Sequence, residues 1–165
     1  MDLGPLFTYF SAEKMGSWLL VASGLLSLMF AAFLYLERSP LLGMAWPLLA
    51  VGLLALSVGV GILQRTPAQV AALQAGFSTS PAATGAAEQQ RIAGVIQRFR
   101  QYKVVEVLVV VAGFALVFMS PAPSLWAGVG LGCVLMGSYV FVFDSFAHHH
   151  AEVYAAWLKQ FPAAP

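Results

Sequence analysis

The sequence predicts an all-α integral membrane four-helix bundle, and three observations carry that reading. Residues 17–36 and 40–63 hold no charged side chain, and none lies between Glu106 and Asp144. The last of these runs is interrupted by Ser120-Pro-Ala-Pro-Ser124, so it divides into two pieces. Each piece approaches the roughly 20 residues that a helix needs to cross about 30 Å of hydrocarbon. The predicted spans are 15–36, 40–63, 103–120 and 124–144, joined by a connection at 64–102 and followed by a tail at 145–165. Between spans 2 and 3 an amphipathic cytoplasmic helix is expected, and span 4 is expected to continue as a helical extension.

Composition narrows the function classes. Apolar residues make up 60% of the chain and charged ones 9%, against about a quarter charged in soluble proteins. A net charge of +1 offers no dense basic face for phosphates, so nucleic acid is not an expected partner. Cys133 is the single cysteine, which excludes an intrachain disulfide, a zinc knuckle or CxxC redox chemistry. No nucleophile elbow, P-loop or GxGxxG fingerprint is present. The segment before span 1 carries Asp2, Glu13 and Lys14, unlike a cleavable leader, so the first span is expected to be retained.

Residues 1–14, with Leu6, Phe7, Tyr9 and Phe10, read as a short segment at headgroup depth. Trp18 and Tyr35 sit near opposite ends of span 1, as interfacial aromatics do. Pro40 opens span 2, and Trp46-Pro47 predicts a kink or a late start of regular helix. In the connection, Thr66-Pro67-Ala68-Gln69 reads as a capped helix start that runs to Ala75 and stops at Gly76. The Ser-, Thr-, Ala- and Gly-rich stretch 77–85 reads as a flexible link, with Ser80-Pro81 as a second start. From Ala86 onward Ile92, Val95, Ile96 and Phe99 recur at helical spacing, and nothing strong ends that helix before span 3.

Charge asymmetry orients the chain. Seven of its eight Lys and Arg residues lie in the N-terminal segment, the central connection and the tail; only Arg38 lies in the turns on the other side. Short Lys/Arg-rich segments stay cytoplasmic, so both termini are expected inside, in a bacterial inner membrane.

Three sets of residues are candidates for function. Gly128 and Gly132 in span 4, with Ala55 and Gly59 in span 2, form small-residue faces that let helices approach closely. They can pack spans within the chain or against a second copy. Asp144, His148 and Glu152 fall four apart at the end of span 4, on one helical face. That spacing suits a single divalent metal with an open position, or simply a polar stretch at headgroup depth. Glu106 lies one turn into span 3, three residues from Lys103, and suits an interfacial ion pair with Lys103 or Lys14 more than the coupling carboxylate of a transporter. No cofactor beyond that metal is expected.

The motifs Phe10-Ser-Ala-Glu-Lys14, Gly43-Met-Ala-Trp-Pro47, Arg65-Thr-Pro-Ala-Gln-Val70 and Asp144-Ser-Phe-Ala-His148 resemble those of a group of small four-span bacterial inner-membrane proteins. In size, span number and internal termini the chain is also similar to the immunity proteins that protect bacteria from pore-forming colicins and secreted membrane toxins. That resemblance implies a non-enzymatic protein acting by helix–helix contact, surrounded by membrane lipids and bound to a membrane-active toxin or other membrane partner. The alternatives are a metal-dependent enzyme acting on a lipid at the inner leaflet and a carrier of a lipid or small molecule.

Overall fold

The computed structural model describes residues 2–161. Four helices follow one another: α1 (Gly4–Leu36), α2 (Ala45–Thr79), α3 (Pro81–Met119) and α4 (Leu125–Leu158), with a 3-10 turn at Leu42–Met44 leading into α2. All four are long and apolar enough to cross a membrane. α2 has 35 residues, about 52 Å of helix at 1.5 Å per residue, whereas about 30 Å suffices for the hydrocarbon. The bundle therefore continues well beyond its apolar segments at the end that carries both termini.

That continuation differs from the reading of the sequence in two places. Residues 4–14 are not a short separate segment: they are the first turns of α1, and Leu6, Tyr9 and Phe10 are buried. Nor does the connection fall into a helix, a flexible link and a second helix. α2 passes through Pro67 and Gly76 to Thr79, only Ser80 breaks the path, and Pro81 starts α3. The small residues here are contact points between adjacent helices. A Cβ on Gly76 would meet Thr84 Oγ1 at 2.7 Å, and one on Gly85 would meet Phe161 Cβ at 2.5 Å. Phe77 between them is buried in the aromatic core. Pro67 removes one backbone hydrogen bond from α2, and beside it Thr66 Oγ1 bonds back to the Ile62 carbonyl at 2.8 Å. Other local expectations hold. Regular helix starts late, at Ala45, with Pro47 in its first turn; Ser80 precedes a helix opened by Pro81; and α3 runs unbroken from there through span 3.

The helices form two tight hairpins, α1 with α2 and α3 with α4. Close approach within the first depends on Gly24 and Gly52, each of which lies against the other's carbonyl, and within the second on Gly113 and Gly130 in the same relation. α4 joins the hairpins. It packs on the 3-10 turn, on α2 and on α1, where Tyr139 Oη donates to Ser23 Oγ at 2.6 Å. α3 is peripheral: it rests on α4, meets α2 sparsely, and its backbone nowhere packs against α1. Ala31, Leu34, Met44, Ala45, Leu48 and Met136 form a core at the turn end. A second, aromatic core at the opposite end comprises Leu6, Tyr9, Phe10, Phe77, Ile92, Ala151, Tyr154, Leu158 and Phe161.

Candidate functional site

Polar side chains gather in two places near the terminal end. The first lies between α3 and α4 where the apolar segments finish. Lys103 Nζ is 2.9 Å from His148 Nδ1. An ammonium can only donate, so Nδ1 accepts and the imidazole proton sits on Nε2. That nitrogen faces Glu152 Oε1 at 3.5 Å, too far for a well-formed hydrogen bond. One turn deeper, Glu106 is 7% exposed and its Oε2 has no hydrogen-bond partner among the described residues; the carboxyl of Asp144 faces it across the helix pair.

This arrangement redistributes the residues expected to act together. Asp144, His148 and Glu152 do share a face of α4, yet Asp144 turns to Glu106 while His148 lies between Lys103 and Glu152. Among the described residues, no three His, Cys, Asp or Glu side chains gather as a metal-holding group. His149 and His150 are exposed. The ion pair expected of Lys14, Lys103 and Glu106 is not formed either, because Lys103 takes His148 as its partner and Lys14 lies exposed on α1. Glu13 instead pairs with Arg65 at 3.3 Å, and its other carboxylate oxygen lies 3.3 Å from Thr66 Oγ1, tying α1 to α2.

The small-residue faces are occupied inside the chain. A Cβ on Gly128 would meet Gly43 Cα at 3.1 Å, and one on Gly132 would meet the Met44 carbonyl at 3.0 Å. Both therefore seat α4 on the entry to α2. Gly59 lies against the Ser17 carbonyl of α1, and Ala55 is buried in α2.

The second polar cluster was not singled out from the sequence. Glu88, 3% exposed, takes two bonds of 2.7 Å from Arg91 Nε and Nη2 and one of 3.2 Å from Tyr154 Oη. The Arg91 guanidinium also lies 6.0 Å from the centre of the Phe10 ring. Tyr9 stacks on Tyr154 with ring centres 4.5 Å apart. Gln89 Nε2 donates to the carbonyls of Leu158 and Phe161 at 2.6 and 3.0 Å, holding the end of α4 on α3. Burial and then the Glu88 charge push the Tyr154 phenol well above its ordinary range. Tyr9 is also raised, by burial and then by Glu13, with Arg91 opposing. For Arg91, burial alone would favour the neutral form, but the bonds to Glu88 outweigh it and hold the guanidinium charged. A buried carboxylate with three donors is a satisfied ion pair, and its role is to fasten α1, α3 and α4 together. The available signal was Glu88 and Arg91 three apart on one helix; their burial depends on the tail of α4 folding against α3.

Compared with known proteins, the chain matches no family model, no curated protein and no solved structure.

Proposed function

We propose that this is a non-enzymatic protein of the bacterial inner membrane, with both termini cytoplasmic, that works by helix–helix contact as an immunity or accessory protein for a membrane-active partner. The observation that supports this reading is the outer face of α3. Val104, Val107, Leu108 and Val111 are all exposed on it, because α3 leans on α4 and leaves the rest of its circumference open. A valine-rich apolar strip free of ionisable groups suits packing against another helix through van der Waals contact. Seated against the hydrophobic hairpin of a toxin, it would keep that hairpin from opening. The glycines of α4 are engaged on α2, so α3 is the better contact surface.

The test is purification from the native host in mild detergent, with co-purifying proteins identified by mass spectrometry. The expected result is one stoichiometric membrane or secreted partner. Its recovery should fall when Leu108→Trp is introduced and persist when Leu26→Trp is placed on the exposed face of α1. A partner lost equally in both variants, or no partner at all, would refute the assignment.

A further inference from the structure

We infer that the cationic collar where the helices leave their apolar segments, and above all Arg98 and Arg100 of α3, binds anionic phospholipid headgroups. Cross-helix contacts set the level of the collar. Glu13 of α1 pairs with Arg65 of α2, and Lys103 of α3 bonds His148 of α4. Gly16 lies beside Phe143 and Tyr9 beside Tyr154, which places Lys14 of α1 level with the residues around His148. Lys14, Arg65 and Lys103 therefore share one layer of the bundle, and Arg100 and Arg98 follow within about one and a half turns of it on α3. The carboxylates of that layer are Glu13, already paired with Arg65, and Glu152, beside His148. Glu106 and Asp144 lie a turn deeper and face each other.

Arg98 and Arg100 are exposed and, among the described residues, have no carboxylate within ion-pair distance. The chemistry next to them selects the ligand. Arg100 is followed one turn later by exposed Val104, then by Val107, Leu108 and Val111 on the same side; Arg98 is followed by half-exposed Tyr102 and then Val105. A ligand that meets both parts of such a strip has an anionic head and a hydrocarbon body. A phospholipid fits this description, whereas a free anion would engage the arginines alone. Clusters of four or more Lys and Arg beside a span attract acidic lipids, and the guanidinium fork suits phosphate oxygens. This inference requires only that the apolar segments span a bilayer; it shares Val104, Val107, Leu108 and Val111 with the proposed partner surface, and the reconstituted chain is tested without a partner.

The test uses the full chain reconstituted in bilayers of mixed phosphatidylcholine and phosphatidylglycerol, with retained lipids counted by native mass spectrometry after release into mild detergent. Phosphatidylglycerol should be retained in excess of its share of the bilayer. Arg98→Gln with Arg100→Gln should reduce that excess by about fivefold or more, and added salt should reduce it in the parent. Retained lipid that mirrors the bilayer would overturn the proposal, as would an excess untouched by the double substitution or one displaced by inorganic phosphate at matched concentration. Flotation with vesicles after an alkaline wash reports insertion separately. A double variant that still floats keeps the lipid comparison valid, and a parent that does not float removes the spanning reading and this proposal together.

Discussion

Tyr9 lies parallel to Tyr154, their rings 4.5 Å apart and inclined by 8°, so the first helix and the last are joined face to face at the end where both termini lie. Tyr9 also meets Phe10 edge-on, with centres 5.0 Å apart, and both are buried. Tyr9→Ala removes the stacked ring and leaves a cavity, which should destabilise the protein by about 3 kcal/mol. Tyr9→Phe keeps the ring and should cost less than about 1.5 kcal/mol. Reversible unfolding in mixed micelles measures both, and equal effects would show that stacking contributes little.

The same pair predicts a response to alkali. The phenols of Tyr9 and Tyr154 are raised above their ordinary value in the folded protein, first by burial. A group raised on folding contributes stability that is complete below its unfolded pKa, here about 10, and is lost as pH rises through the folded value. Of the five tyrosines, these two should form phenolate only together with unfolding. Phenolate absorbance followed alongside circular dichroism decides the matter: full ionisation of all five before any loss of helix would contradict the buried placement.

Much of the architecture could be read from the sequence because lipid-facing segments declare themselves by the absence of charge, and helix is the structure open to a lone apolar segment that must satisfy its own backbone. The late start of α2 at Ala45 and the opening of α3 by Pro81 could be read as well, through local proline chemistry. The central connection was harder to read. Gly76 and Gly85 signal a break when only chain-local preference is considered, but each is needed where Thr84 or Phe161 approaches, and tertiary contact outweighs local propensity. The polar sites were harder still. Four-residue spacing placed Asp144, His148 and Glu152 on one face of α4, but what each meets depends on Glu106 and Lys103 of α3. Spacing along one helix carries no information about the neighbouring helix.

Two glycines of α3 provide an internal comparison. A Cβ on Gly94 would meet nothing within 4 Å, while one on Gly85 would meet Phe161 Cβ at 2.5 Å. Gly94→Ala should therefore stabilise the chain by about 0.5–1 kcal/mol through helix propensity and a less flexible unfolded chain. Gly85→Ala should destabilise it by about 1–3 kcal/mol, because the ring and the last turn of α4 must shift. Thermal unfolding of the two variants in the same detergent should move in opposite directions; a shared direction would mean that α4 does not hold Phe161 on α3.

Glu106 leads to the most specific prediction. Among the described residues its Oε2 is buried without a separate donor, and its carboxyl faces that of Asp144, so two carboxyls meet in an apolar layer. Glu106→Gln preserves the shape, keeps the position free of charge and offers an amide N–H to Asp144. An unsatisfied buried group costs about 1–3 kcal/mol, so this substitution should raise stability by roughly 1 kcal/mol. Asp144→Asn should act in the same sense from the other side. Either change alone relieves the contact, so the double variant should gain clearly less than the two single gains combined, the signature of directly coupled residues. Unfolding midpoints in one detergent at neutral pH measure the cycle. Additive gains would mean that the two carboxyls do not interact, and a loss in Glu106→Gln would mean that a carboxyl is required at that position.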